Sequence, residues 1–565
     1  MRAYVADFET TTDPEDCRVW AFACCPVDDV DAVEYGNDMD GFMAWCEAHA
    51  NCQLYFHNLA FDGHFLINHL ERSGWEWVDD HQVRPCSYQY STCVSDMNAL
   101  YAVTLYFNAW FKVRIYDSLK IIPMSVKAMA KTFGLQEGKG EIDYEAPRAV
   151  GYVMTDEERD YIRRDVQIVA LSLSTLLGNG MDKMTAGANA LADFKRMMGG
   201  HKGFRRVFPF VGPEDDAFMR TGYKGGFTYC DPRWAGREVG PGIVLDVNSL
   251  YPSVMKGCDG QMLPFGHPAW FGGSPFDRAW KSKSPLWVAS VTMSFKVKPD
   301  HIPCLQLKGN MRFVPTEYVR DSEGEVTVTV TNVDWELIEQ QYDVEVQSWN
   351  GGFSFQGKVG LFADYVDKWT AVKVDAGKQG NFGMRTLAKL QLNSLYGKMA
   401  TRTVARSRRP VLGDDGIILY VDLEEEVRDP VYLPAGMFIT AWARRKTVEA
   451  AQKCYDRFLY ADTDSLHLLG TDVPEFLDVD DYELGKWAHE STFSRGKFLR
   501  AKTYIEQEMG SDEITVHVAG MPANVHSQVT FENFELGATY DGKLYKRNVP
   551  GGVVLEPGPM TIRER

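Results

Sequence analysis

The chain has 565 residues, 45% of them hydrophobic, and a formal net charge of −18. That length calls for several cores rather than one, and that charge excludes a nucleic-acid coat working by bulk positive charge, because phosphate binding needs Lys and Arg. Eleven scattered cysteines suggest neither a disulfide framework nor a paired zinc knuckle, so reduced thiols are expected. No apolar run reaches the length of a membrane span or resembles a secretory leader, so a soluble, cytoplasmic protein is expected.

In chain order, AYVADFET (3–10) predicts a strand, on which the period of two puts Asp7 and Glu9 on one face and Ala6 and Phe8 on the other. QLYFHNLAFDGHF (53–65) reads as strand, turn and helix start, with Asp62 in the turn. TDEERDYIRRDVQIVALSLSTLL (155–177) has a Thr N-cap, an acidic first turn and a helical period through Ile162, Val166, Val169 and Leu173. Asp165 follows Tyr161 by one helical turn, so the phenol and carboxylate share a face. The Gly-rich stretch MMGGHKGFRRVFPFVGPEDD (197–216) is expected to loosen into a boundary.

GIVLDVNSLYPSVM (242–255) predicts an apolar strand ending at Asp246 and turning into a helix. Residues 258–353 alternate β-branched runs with Pro and Gly and predict a strand-rich insertion. MRTLAKLQLNSLYGKMA (384–400) predicts a helix closed by Gly397, with Lys389, Asn393 and Tyr396 in one stripe. Residues 401–432 predict a basic hairpin around Asp414, Asp415 and Gly416. LYADTDS (459–465) reads as strand, acidic tip, strand; the tail from Met521 is strand-like, with turns at Asp541-Gly542 and at 550–552. Residues 354–410 hold eleven Lys/Arg against three Asp/Glu, enough for an electropositive groove on an acidic body.

Alone, LYADTDS is best read as a solvated turn, since Asp and Ser favour turns for local hydrogen bonding. Other carboxylates change that reading. Asp7, Glu9, Asp62 and Asp165 sit on three elements, and if they converge they repel one another unless cations lie among them, as in two-metal phosphodiester hydrolysis. Tyr161 could then orient the attacking water.

DFETT, FHNLAFD and YIRRD resemble the three exonuclease motifs of proofreading DNA polymerases of the D-E-D-D type. That resemblance implies that Asp7, Glu9, Asp62 and Asp165 are metal ligands and that Thr10, His57, Asn58, Phe61 and Tyr161 handle a single-stranded end. DVNSLYP, KLQLNSLYG and YADTDS resemble motifs A, B and C of family B DNA polymerases. It implies that Asp246, the Val247 carbonyl and Asp464 hold metal, with Asp462 acting through water. Lys389, helped by Lys373 and Arg385, is expected on phosphates, with Asn393 on the same helix stripe, while Tyr251 and Tyr396 flank the nucleotide and Tyr251 excludes a ribose 2′ hydroxyl. YKGGF (Tyr223, Gly225, Gly226) and AKTYI (Lys502, Tyr504) resemble template- and primer-contacting motifs.

FITAWARR, WAHESTF and VPGGVVL resemble the protein-primed DNA polymerases of small tailed phages with linear genomes, nearly end to end. The implied fold is α/β and multidomain: an RNase H-like 3′–5′ exonuclease domain (1–185), then a right-hand polymerase. Its expected parts are palm (186–257 and 433–520), fingers (354–400), thumb (521–565) and two palm insertions. The first insertion, 258–353, is expected to meet a terminal protein. The second, 401–432, would close over the duplex, with Arg402, Arg406, Arg408 and Arg409 on the DNA backbone. Ala461 stands where Gly or Cys is commoner, Ala60 where Lys is often found, and KVDAGKQGNFGMR lengthens the fingers tip.

The expected function is protein-primed, DNA-directed DNA synthesis with proofreading and strand displacement. It would use two Mg²⁺ per active site, with Mn²⁺ able to substitute. Partners would be template and primer DNA, dNTPs and a terminal protein, with the chain a monomer or a heterodimer with that protein, in the cytoplasm of a bacterial host. The rivals are a primer-independent family B polymerase of a mobile element, a non-catalytic terminal-protein or DNA-binding scaffold, and a plain nuclease.

Overall fold

The computed structural model describes residues 1–134, 142–277 and 284–564; short parts of the expected first domain and first insertion lie outside these. Strand Ala3–Thr10 is an inner strand of a mixed sheet. It pairs antiparallel with Val19–Pro26 and parallel with Gln53–Phe56, which runs parallel to Lys112–Asp117. Its alternation divides two cores. Tyr4, Ala6 and Phe8 pack with Phe42, Phe56 and Leu66, while Val5 packs in the cluster of Ile162, Val166 and Val169 from helix Asp156–Gly178. That helix opens with a reciprocal Thr155–Glu158 capping box, which satisfies two otherwise orphaned amides.

The expected hairpin forms in 401–432, Ser407–Leu412 pairing with Ile418–Asp422 around residues 414–416, and it extends the first sheet, Ser407 pairing with Ser95 and Arg408 with Val94. The Gly-rich 197–216 stretch is largely helical, because Gly199 at φ +82° joins helices Ala186–Met197 and Gly200–Val207 and Phe204 and Phe208 bury fully. Glycine tolerates that left-handed link without strain.

A second sheet centres on Gly242–Val247, between antiparallel strands Ser465–Leu469 and Trp487–Arg500. Helix Leu433–Lys453 packs against it and is buried along most of its length, continuously over its apolar first half, residues 433–441, and on one face beyond. Residues 262–359 supply a four-stranded sheet in the order Met262–Phe271, Tyr342–Val359, Leu286–Val297, Val326–Thr331. Strand Tyr342–Val359 runs on past residue 353, and helices Ala363–Lys378 and Phe382–Met399 follow.

Gly397 does not close the second helix, which continues to Met399. An interior glycine costs about 1 kcal/mol, and burial of Leu395 and Met399 on either side offsets it. Nor is Asp541-Gly542 a turn: it is the irregularity between Tyr540 and Lys543 where Thr539–Val549 pairs with Gly552–Thr561. All eleven cysteines are free thiols. Among the described residues no helix is long and apolar enough to cross a membrane.

Candidate active sites

The Asp462–Ser465 tip is clamped from two sides. Thr463 takes φ +64°; its amide donates to the Phe227 carbonyl at 2.6 Å and its own carbonyl accepts from Thr447 Oγ1 at 2.7 Å. Asp246 lies opposite Ser465 in register, and the Val247 amide donates to the Asp464 carbonyl at 2.8 Å. Burial, then the Asp464 and Glu490 charges, pushes the Asp246 carboxyl up to about 7. Burial likewise pushes Asp464 up to about 6, with Asp462 and Glu490 adding. Val247 is fully buried, so any part it takes in ligation is through its main chain.

Asp462 differs from both. Lys502 Nζ bridges its two oxygens at 2.8 and 2.9 Å, and Thr228 Oγ1 donates to it at 2.9 Å. Lys502, expected on the primer, is thus held by an acid whose charge it compensates. Tyr504 is half-buried, stacked on His517 and Phe498.

A cavity of about 880 Å³ joins Asp246, Asp464, Tyr251 and Tyr396 to Lys373, Arg385, Lys389 and Asn393. The two long helices contribute the cations. Burial, then the Lys389 and Arg385 charges, lowers Lys373, so the three positive groups are close enough to repel. Tyr251 and Tyr396 do not form two walls: they stack at 4.0 Å and 22° into one platform, because each ring shields the other's apolar face. A Cβ on Gly226 would lie 2.8 Å from Thr463 side-chain atoms and 2.9 Å from the Tyr251 hydroxyl, whereas Gly225 faces open space. Tyr223 is half-buried beside them.

Sequence reading missed Arg444. Its guanidinium donates to the Lys224 and Gly225 carbonyls at 2.8 and 2.7 Å and to Asp334 at 2.6 Å, anchoring the glycine segment beneath the cavity. Only its place in a buried helical run could have marked it.

The second site lies on the first sheet. Glu9, Asp62, Asp165 and Tyr161 are 6, 4, 5 and 3% exposed, with Asp7 half-buried and Thr10 at the strand end. Asp62 is not in a turn. Asn58 adopts φ +77° and the helix Leu59–Arg72 starts at once, so the acid lies in its first turn. Burial pushes Asp62 up to about 7, although its carboxyl accepts from the Phe8 amide. Burial also raises the Tyr161 phenol, and the charges of Asp165 and Glu9 add to this, so both acids stand near its hydroxyl. That hydroxyl meets Tyr144 at 2.7 Å.

His57 is a brace rather than an open contact: Nδ1 meets Ser118 Oγ at 3.0 Å and Nε2 the Met124 carbonyl at 2.8 Å. Phe61 is half-exposed beside Asp62. Asp117, also missed, is 1% exposed and accepts from the Asn58 and Leu119 amides at 3.1 and 3.0 Å. Its position at a strand end, like Asp246, was the available signal.

Of the basic hairpin, Arg406 pairs with Glu425 and Arg408 with Asp422, each at 2.6 Å, while Arg409 lies over Trp77. Arg402 and Arg406 line a separate cavity of about 650 Å³ with Lys183, Lys398 and Arg428.

A family model described as "DNA polymerase type B, organellar and viral" matches residues 48–150 and 147–482. The DNA polymerase of Bacillus phage phi29 is 42% identical, covering 100% of this chain and 99% of its own; that of Streptococcus phage Cp-1 is 32% identical, covering 99% and 98%. The structure of phi29 DNA polymerase complexed with primer-template DNA and incoming nucleotide substrates aligns over both whole chains, with TM-score 0.93 and 41% identity.

The chain belongs to the type B, organellar and viral, DNA polymerases.

It is a DNA-directed DNA polymerase, multidomain, with exonuclease and polymerase domains. Family B polymerases use divalent metal ions, and the Asp246–Asp464 donor set of this polymerase fits one. Among the described residues no three His, Cys, Asp or Glu side chains gather into a ready-made cage. Asp246 and Asp464 instead form a pair of hard oxygen donors, each raised by burial and by neighbouring acid charge that a cation would relieve. Such a pair suits an ion that keeps waters and substrate oxygens in its shell, and not a closed structural zinc site.

Proposed function

We propose that this polymerase runs two separate chemistries: nucleotidyl transfer at Asp246 and Asp464, and 3′–5′ hydrolysis of a strand end at Asp7, Glu9, Asp62 and Asp165. The observation that carries the reading is the single cavity joining two crowded carboxylates to three fingers cations. Each site would hold two Mg²⁺, or Mn²⁺, on these acids and, in the palm, on the Val247 carbonyl. When bound, the ions neutralise phosphate charge and acidify the attacking hydroxyl or water.

The protein's own groups do the rest. Lys373, Arg385 and Lys389 receive the triphosphate and Asn393 orients it. The Tyr251–Tyr396 platform carries sugar and base, and the Tyr251 ring occupies the space a 2′ hydroxyl needs. Gly225 and Gly226, with Tyr223, let the template backbone approach; Lys502, steadied by Asp462, and Tyr504 meet the primer end. In the exonuclease, Tyr161 orients water, while Thr10, Asn58 and Phe61 grip the strand, with His57 holding the Asn58 turn. Arg402, with Arg406, Arg408 and Arg409 around it, tracks the DNA backbone.

The full-length relationship to phage enzymes supports priming by a terminal protein, with the first nucleotide joined to that protein's hydroxyl, then strand-displacing elongation by a monomer or a heterodimer with it in the cytoplasm of the host cell. The expected domain limits are part of this proposal. Separation of function is the test. Asp7→Ala with Asp62→Ala should abolish strand-end degradation and spare primer extension; Asp464→Ala should do the reverse, lowering extension by about 10³-fold or more. Loss of both activities in either variant contradicts the two-site reading. Labelled dNMP becoming covalently attached to a co-expressed terminal protein tests the priming step.

A further inference from the structure

The carboxy-terminal hairpin is anchored in a distant part of the chain. Val549, Val553 and Val554 share the core of Phe56, Phe65 and Leu66. A Cβ on Gly552 would lie 2.4 Å from the Phe65 ring and one on Gly551 2.1 Å from the Cys17 carbonyl oxygen, so the tip fits too closely for any side chain there. Asn548 donates to the Ile418 carbonyl at 3.3 Å. This seating fixes what stands just before the tip, opposite Leu555 in register: Lys546.

The Lys546 ammonium lies 5.9 Å from the centre of the Phe61 ring, next to Asp62. The groups facing it are Asp62, Asp117, Lys120 and His64. Lys120 contacts Asp117 directly at 3.4 Å. Lys546 is therefore the cation of this group that no direct carboxylate contact engages in the way Lys120 is engaged. The carboxylates Asp62 and Asp117 beside it repel the phosphates of an incoming strand, and a positive group next to them offsets that repulsion.

We infer that Lys546 is a positioning residue of the exonuclease site: its ammonium holds a backbone phosphate of the single-stranded 3′ end as that strand passes Phe61 toward Asp62. The inference rests on the exonuclease reading above. It makes the carboxy-terminal hairpin part of the strand-end grip, so that seating of its tip and capture of a frayed end are linked.

Lys546→Met keeps the apolar stem on Phe61 and removes the charge; Lys546→Arg keeps the charge. In the full chain, degradation of a single-stranded oligonucleotide by K546M should show KM raised about fivefold with kcat within about twofold, and K546R should restore KM. With Asp62→Ala added to block hydrolysis, K546M should bind the same oligonucleotide with a log–log salt slope shallower by about 0.7. An unchanged KM and slope overturn the inference, as does a fall in kcat alone, or loss of binding that circular dichroism traces to unfolding and that K546R does not restore. If the unsubstituted protein fails to degrade the oligonucleotide with Mg²⁺ present, the exonuclease reading itself fails, and the salt slope still decides whether Lys546 meets phosphate.

Discussion

The two acidic sites are built to opposite plans. Asp246 and Asp464 are half-buried at the ends of antiparallel strands and look across a cavity of about 880 Å³ at cations on separate helices. Glu9, Asp62 and Asp165 are nearly buried, drawn from one strand and from two helices whose apolar residues belong to the two different cores on either side of it. The first arrangement opens on a large cavity and lets the opposing charge arrive on its own element; the second holds its acids nearly out of solvent. On the proposed function, crowded acids would serve two reactions, and the depth at which each set is buried distinguishes them.

Removing what supports one plan should leave the other standing. The largest loss of stability is expected at Arg444, whose removal strands Asp334 as a buried unpaired charge beneath the palm. Arg444→Met should cost about 3–5 kcal/mol, read by chemical denaturation, and should depress extension more than strand-end hydrolysis; equal depression would mean the two sites share their support. Gly226→Ala puts a methyl group against Thr463 and the Tyr251 hydroxyl. Extension kinetics should fall about tenfold or more, with hydrolysis unchanged.

The third prediction turns on a sign. Asp62 is raised to about 7 by burial, so the folded protein holds a proton there that the unfolded chain releases near its ordinary value. Between those values folding is favoured at low pH, and the advantage is lost as pH rises through about 7. In chelator at pH 8, Asp62→Asn should raise stability by roughly 4 kcal/mol, and at pH 5 the gain should shrink to less than half of that, vanishing only below the ordinary carboxyl range where the unfolded chain is protonated too. A gain of the same size at both pH values would mean burial is not what governs this acid. The smallest effect is expected at Arg402: Arg402→Gln should flatten the log–log salt dependence of primed-template binding by about one unit, and no change would remove that arginine from the DNA path.

The carboxylates themselves were legible because strand and helix periods are local. Asp7 with Glu9, and Tyr161 with Asp165, need only a spacing of two or four to be read as partners. Asp62 was misplaced by a few residues because one left-handed Asn58 starts a helix where a turn was expected. What stayed hidden depends on distant chain. Lys502 reaches Asp462 from 40 residues away, Arg444 closes on Gly225 from 219, and the brace on His57 comes from Ser118 and Met124. No window short enough to carry a period contains both partners of any of these contacts. The stacked tyrosines make the same point: each was a sound candidate, but their mutual contact is a property of the fold.

The pairing of Ser407 with Ser95 and Arg408 with Val94 bears on how the chain emerges from the ribosome. The strand Gln89–Ser95 leaves part of its edge unpaired until more than 300 further residues are made, and an open edge invites pairing with another copy. A truncated chain ending near residue 185 would expose that edge permanently. Such a fragment should self-associate more than the full protein, so the edge of the amino-terminal sheet is covered by a hairpin synthesised much later.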